Sequence, residues 1–456
     1  MSTAFRFSRA NWGDHPPAAP VGCTPLVERA RLQWCRGDPG DPAALAEAFL
    51  AGHGLPVADL SDPPRADGSP SAAGDRGVVQ AALGRRRDGR VPDPAGHRVE
   101  GAVCGATLYL SAAAAADLAG VPAGAASPVA GLPDLVVVVW EHGADTSDDA
   151  AAPLRRGRAG DAAGPPGGPA WRVGAWRPSW SPHEHAEAVR AVQAAIAAGD
   201  VYQVNLVGHA SAPYTGDPTA ALRRVAALPG ARYAGVLRGD GWAVACASPE
   251  TLVTVTGGRV VTRPIKGTRP ATARGRMELL ASPKERAEHI MIVDLERNDL
   301  ARLARTGTVR VDELFVLRRW CDLWQAESQV SARLRPGVGL AELLRAVCPG
   351  GSVTGAPKRS ALQLIAQLEP VGRGPAMAAL GWVDHDRVDL GLTIRTVAVD
   401  AARVHVWAGG GITWSSDPHA EVAEAAAKAA PLRDALAGGA PGPARRDGVP
   451  AHHAAT

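Results

Sequence analysis

The sequence predicts an α+β fold, and three observations carry that prediction. Capping signals at 181–184 and 282–285 mark helix starts. β-Branched runs meet at Gly257-Gly258, which reads as a tight hairpin. Helices and hairpins alternate without a βαβ rhythm, which disfavours a doubly wound parallel sheet.

The 456 residues suit one large or two ordinary domains, with ample apolar side chain for a core. A net charge of +3 is too small to indicate nucleic acid. Cys23, Cys35, Cys104, Cys246, Cys321 and Cys348 form no CxxC pair, which argues against a zinc ribbon or redox motif. Scattered thiols fit a reducing cytoplasm. No apolar signal segment follows Met1, and no apolar run is long and clean enough to span a bilayer. A cytoplasmic location without a membrane partner is therefore expected. No internal repeat is visible.

The first 180 residues form a divergent N-terminal region. Residues 61–76 and 150–168, rich in Pro, Gly, Asp and Ala, read as loops or linkers. Strands are expected at 106–110 and 135–140. The region 181–436 has sharper signals. Ser181 is an N-cap, Pro182 the first helical residue and Glu184 the third, opening a helix to about Ala198. Gly199-Asp200 stops it, and a strand follows at 201–207. The runs 251–256 and 259–265 flank the glycine turn. Ser282-Pro283-Lys284-Glu285 repeats the capping pattern before a helix reaching about Arg305. Asp417-Pro418 opens the last helix, which Pro431 should kink or interrupt. Residues 437–456 lack periodicity and are expected to be disordered.

The hairpin register places Glu250 opposite Ile265 and Lys266 beside Pro249, at the open end of the ladder. An arbitrary Glu/Lys pair is usually a surface ion pair. Its company changes that reading. Glu285 and Glu288 share one helix face, and Glu421 and Glu424 another, with Lys428 a turn further. Each pair alone is ordinary solvated helix. Together, carboxylates from two helices with water suit magnesium. The glycine-rich segments 349–358 and 408–412 read as loops, the second following a strand, which lets backbone N–H groups approach carboxylates. Neither is GxGxxG or a Walker loop, so nucleotide phosphate is not indicated. Arg395 lies in a β-branched run, where a buried charge needs a partner such as a substrate carboxylate.

Taken jointly, these segments resemble the chorismate-utilising enzymes: the anthranilate, aminodeoxychorismate, isochorismate and salicylate synthases. The resemblance covers about 181–436. It rests on VYQVNL (201–206), SPE (248–250), RPIKGTR (263–269), KERAEHIMIVDLERNDL (284–300), PGGSVTGAPK (349–358), IRT (394–396), AGGGI (408–412) and residues 416–428. Their order and spacing are highly specific. The fold it implies is a layered sandwich of large antiparallel sheets flanked by helices, of the anthranilate synthase component I type.

The resemblance also implies roles. Magnesium would be held by Glu288 and Glu424, with Glu285 and Glu421 acting through water. Arg395, Lys428, Thr268 and the backbone of Gly409 and Gly411 would hold substrate carboxylates, and Gln203 and Thr354 would also belong to the substrate-binding set. Glu250 would be the general acid and Lys266 the nucleophile, with ammonia then expelling the lysine. Anthranilate synthases usually have alanine where this chain has Lys266; aminodeoxychorismate synthases have lysine. Isochorismate and salicylate synthases place a lysine base where this chain has Gln203, which cannot take a proton. Gln325 replaces the histidine of anthranilate synthases, and Ala376 stands where many relatives have an aromatic residue. The implied reaction is amination of chorismate to 4-amino-4-deoxychorismate, for p-aminobenzoate and folate or a specialised metabolite. No glutaminase nucleophile segment and no pyridoxal-phosphate lyase domain is visible. A glutamine amidotransferase subunit is therefore expected to supply ammonia in a heterodimer. The tryptophan-binding segment of relatives is replaced near 228–231 and is not carried over. Anthranilate synthesis, or a catalytically degenerate chorismate-binding protein, stay open as alternatives.

Overall fold

The computed structural model describes residues 26–61, 101–122, 124–142 and 170–438. Cys23, nearly all of the predicted loops at 61–76 and 150–168, and the predicted tail from 439 lie outside the described residues.

The predicted strands at 106–110 and 135–140 form as β2 (Val103–Leu110) and β3 (Leu135–His142). Val136 to Val139 are fully buried, so β3 is covered on both faces. That is why its apolar run is continuous and not alternating. These strands pair with β1 (Leu26–Trp34) and with β15 (Ala379–Val383). They thus join a ten-stranded sheet with β9 (Thr251–Thr256), β10 (Arg259–Arg263), β11 (Ile265–Pro270), β12 (Arg310–Trp320), β13 (Leu323–Arg333) and β16 (Arg387–Leu392). Its main path runs β1-β3-β2-β15-β16-β9-β10-β13-β11.

A second, eight-stranded sheet holds β4 (Arg172–Val173), β5 (Arg177–Pro178), β6 (Gln203–Thr215), β7 (Tyr233–Gly239), β8 (Trp242–Ser248), β14 (Gly355–Ala356), β17 (Thr396–Val399) and β18 (Arg403–Ile412). The ladders of both sheets are antiparallel. One apolar core joins them, with Leu108, Val137, Val253 and Val330 of the first sheet packed with Val207, Val244 and Trp407 of the second. Side chains of this size contribute roughly 1.5–3 kcal/mol each on full burial. The expected antiparallel sandwich is borne out.

Helices cover its outer faces. α1 (Pro42–Gly52) and α7 (Leu340–Val347) pack on each other. α4 (Thr219–Ala226) and α9 (Pro418–Ala437) cover the second sheet through Leu222, Val225, Leu432 and Leu436. α3 (Pro182–Ala198) and α8 (Lys358–Leu368) cover β6. The short α2 (Ala112–Leu118), α5 (Ala273–Ala281) and the long α6 (Pro283–Ala301) complete the set among the described residues. No helix among them is long and apolar enough to cross a membrane.

The Ser181 capping box forms in full. The second forms by half: Ser282 accepts from Glu285 N, but the Glu285 carboxylate turns to Arg269. α9 runs through Pro431 without interruption, because Pro418 and Asp417 already set the N-terminus and Leu432 and Leu436 anchor the far end. The glycine turn has φ of 53° at Gly257 and 70° at Gly258, as a two-residue hairpin requires. A bulge near Thr262 then shifts the register, and Pro264 ends β10. Lys266 therefore lies on the separate strand β11, opposite Ala326 of β13, and not beside Pro249.

A polar cluster is buried between β6 and β18. Ser179 Oγ lies 2.5 Å from His209 Nδ1, His209 Nε2 3.1 Å from His405 Nδ1, and His405 Nε2 3.2 Å from Asp400. Burial, then the neighbouring His405 and Arg403, push His209 from 6.5 down to about 3. Its contribution to stability is complete above about pH 6.5 and is lost as pH falls toward 3. Between pH 7.5 and 5 the stability advantage of the wild type over His209→Asn should shrink by about 2 kcal/mol. Urea unfolding of both proteins measures this. Glu250 and Glu296 are raised and act oppositely, but equally in both proteins, so they cancel from the difference. An unchanged gap would refute the assignment.

Candidate active site

Two of the passages from one sheet to the other are short, and each carries a buried charge. Glu250 lies between β8 and β9, and Arg395 between β16 and β17. Both line one cavity enclosing about 830 Å³ of empty space, part of it open to solvent. β11 forms another wall with Lys266 and Thr268. α6 contributes Glu285 and Glu288, and α9 contributes Glu421, Glu424 and Lys428.

The glycines of 408–412 are not a loop after a strand; they are the end of β18 itself. They pair with β6, and β17 stops short of them, so their other edge is open. Lys428 donates to Gly409 O at 2.8 Å on that edge. Antiparallel alternation puts Gly411 on the same edge. Side chains have no room there. A Cβ on Gly411 would fall 2.4 Å from Gln203 Nε2 and 3.0 Å from Lys266 Nζ.

Lys266 and Glu250 meet at one residue that the sequence did not single out. Lys266 Nζ donates to Ser352 O at 2.9 Å. Ser352 Oγ donates to Glu250 Oε1 at 2.5 Å, and Ile265 N to the same oxygen at 3.2 Å. Glu250 is 3% and Lys266 8% exposed, which is too little water to hold both charges cheaply. Burial pushes Glu250 up to about 7, against the pull of Ser352, Ile265 N–H and Lys266. Burial also lowers Lys266, against the pull of Glu288 and Glu250. The pair is thus biased toward a neutral amine and a protonated acid.

Arg395 has φ of 53° and stacks its guanidinium 4.5 Å from the Trp320 ring. It donates to Lys428 O at 3.0 Å, and its Nε has no partner. Burial pushes it down to about 10. Gln203 is fully buried with neither amide atom satisfied, and Asn205 Oδ1 is also unpartnered. Of these orphan groups Arg395 and Asn205 line the cavity and Gln203 lies beside its Gly411 wall, an arrangement that suits a polar ligand.

The four glutamates converge on the cavity mouth. Thr413 donates to Glu288 at 3.2 Å and Ser416 to Glu421 at 2.7 Å. Burial raises Glu288, despite Lys266 and Lys284, and raises Glu421, despite Ser416. Burial also pushes Glu424 up, but Lys428 at 2.6 Å, with Arg269 and Lys284, outweighs it and holds it low. Lys284 stands 3.7 Å from Glu288 and 4.0 Å from Glu421, supplying positive charge between them. As hard oxygen donors gathered from two helices, these residues suit a divalent cation in donor type. Among the described residues no three such groups stand close enough to hold one ion as they are.

Eleven of the thirteen expected site residues line this cavity. Gln203 lies just behind Gly411. Thr354 stands one step away, its hydroxyl donated to Gly350 O and Gly351 O. Ala376 is buried and Met377, next to it, lines the wall. Sequence reasoning missed Ser352, Lys284, Thr413 and Ser416. Ser352 sat inside a quoted segment, but nothing in its residue type marked it.

The chorismate binding enzyme family matches residues 139–434. Aminodeoxychorismate synthase component 1 of Klebsiella aerogenes is 41% identical over 257 residues, 55% of this chain and 57% of that protein. Anthranilate synthase component 1 of Streptomyces coelicolor is also 41% identical over 257 residues, 55% of this chain and 50% of that protein. The chain spans about half the length of these curated relatives. The crystal structure of anthranilate synthase component I from Streptococcus pneumoniae superposes with a TM-score of 0.66 at 21% identity, covering 93% of this chain and 95% of that one.

Proposed function

The chain belongs to the chorismate binding enzyme family, and from that premise we propose that it aminates chorismate to 4-amino-4-deoxychorismate. Overall identity does not choose between aminodeoxychorismate and anthranilate synthesis, since relatives of both kinds are equally similar. The site does. The observation that carries the proposal is the joining of Lys266 and Glu250 through Ser352 in one buried cavity.

The proposed steps follow from these groups. The Lys266 Nζ lone pair forms a bond to ring C2. The ring double bonds shift, the C4–O bond breaks, and Glu250 gives its proton to the departing hydroxyl, which leaves as water. Ammonia then bonds to C4, the double bonds shift back, and the C2–N bond breaks to return Lys266. A proton from the added nitrogen restores Glu250. Gln203 offers no base, so water is not activated by that route. Arg395, Thr268, Lys428 and the open edge at Gly409 and Gly411 hold the substrate carboxylates. Magnesium, held by Glu288 and Glu424 with Glu285 and Glu421 through water, would neutralise the ring carboxylate when bound. Ammonia would come from a glutamine amidotransferase subunit, as a "component 1" relative's name suggests, in a cytoplasmic heterodimer.

The test is a product assay with chorismate, magnesium and ammonium. 4-Amino-4-deoxychorismate is the expected product, identified by mass after chromatography. Anthranilate formed without added lyase would overturn the reading. Isochorismate formed in ammonia-free buffer would overturn the role of Gln203.

A further inference from the structure

We propose that Ser352 is a positioning residue that sets the proton arrangement of Glu250 and Lys266 together, with Glu296 as its footing. The inference rests on the chorismate-amination reading and deepens it.

Ser352 belongs to a single turn of 3-10 helix, Gly351–Val353. Its two polar atoms reach two different catalytic groups. The hydroxyl donates to Glu250 Oε1, where Ile265 N–H also donates. That oxygen is filled as an acceptor. Glu250 Oε2 is therefore left to carry the transferable proton. The Ser352 carbonyl takes one N–H of Lys266. A neutral amine has two N–H groups and one lone pair, so fixing one N–H restricts where the lone pair can point. One residue thus orients the acid and the nucleophile against each other.

Such a device works only if the turn does not move. It is tied on several sides. Arg373 Nη1 donates to Val353 O at 2.6 Å, and Asn205 N to Thr354 O at 2.7 Å. Thr354 Oγ1 donates back to Gly350 O at 2.9 Å. Behind the turn, Gly351 N donates to Glu296 Oε1 at 3.2 Å. A Cβ on Gly351 would fall 3.0 Å from that same oxygen and 2.8 Å from Leu295, so glycine permits the close approach.

Glu296 is buried, and Lys358, the lysine whose charge acts on it, is bound to Asp299 at 2.6 Å. Burial and Asp299 push Glu296 up to about 8. Burial thus favours its neutral form, and its Oε1 accepts from the turn through Gly351 N. An ionised carboxylate there would repel the negative form of Glu250, to which it is electrostatically linked.

The experiment compares Ser352→Ala, Ser352→Thr, Glu296→Gln and Glu296→Ala by kcat and KM for 4-amino-4-deoxychorismate formation across pH. Ser352→Ala should lower kcat by about 10- to 100-fold, the scale of one hydrogen bond to an ionisable group, with KM little changed. Its alkaline limb should move to higher pH, because the serine hydroxyl is what pulls Glu250 down. Ser352→Thr should restore the limb. Glu296→Gln keeps a neutral acceptor and should stay near wild type, while Glu296→Ala should lose kcat. Should Ser352→Ala fail to fold, Ser352→Cys reads the same limb with a much weaker donor. An unmoved limb in the alanine or cysteine variant overturns the proposal. So does a threonine variant that does not restore it, or Glu296→Gln as impaired as Glu296→Ala. A wild type that makes no 4-amino-4-deoxychorismate would instead overturn the functional reading beneath it.

Discussion

Lys266→Ala is expected to lose 4-amino-4-deoxychorismate formation by at least about 10³-fold in kcat/KM, the scale of removing a group that acts in the transition state. Magnesium-dependent chorismate binding should survive. No other amine in the cavity can stand in. Lys428 is bound to Glu424 and Gly409 O, and Lys284 lies among carboxylates. Lys266→Arg should not rescue, because guanidinium keeps its proton and cannot act as the nucleophile. Calorimetry reads binding, and product chromatography reads turnover. Fully retained turnover would show that ammonia attacks chorismate directly, with no covalent lysine adduct.

Glu250→Gln should lower kcat/KM by roughly 10²–10⁴-fold, the usual contribution of a positioned acid. The pH profile makes the sharper test. Glu250 must be protonated to act, and it is pushed up to about 7. Activity should therefore fall as pH rises through about 7. Lys266 must be neutral, and burial lowers its value. Activity should therefore also fall at acid pH, where the amine takes a proton. The result is a bell whose two limbs belong to the coupled pair. Glu250→Gln should flatten the alkaline limb. A wild-type profile that stays level from pH 7 to 9 would rule out Glu250 as the acid.

Much of this was legible in the sequence, for identifiable reasons. The helix starts at Ser181, Ser282 and Asp417 were readable because N-caps act through neighbours a few residues away. The same holds for the Gly257-Gly258 turn. What failed needed information from afar. The register error at Lys266 came from a bulge near Thr262, which no local pattern announced. The Gly409–Gly411 segment read as loop because glycine disfavours strands, yet here β6 supplies the pairing and the ligand cavity requires the missing side chains. Glu285 and Glu288 were recognisable as a pair, but Lys284 between Glu288 and Glu421 was not. Its place depends on how α6 meets α9. Ser352 acts through its carbonyl as much as its hydroxyl, and a carbonyl has no residue type.

The order of the larger sheet sets apart two kinds of boundary. Sequence similarity begins at residue 139, inside β3. The hydrogen-bonded ladder runs without a break from β15 through β2 and β3 to β1. The stretch matched in sequence is therefore shorter than the sheet it belongs to. A fragment cut where similarity starts would leave β15 as a bare strand flank, with its amides open to any passing chain. The early strands, which precede the family match, cover the edge of β15 that the matched stretch alone would leave open.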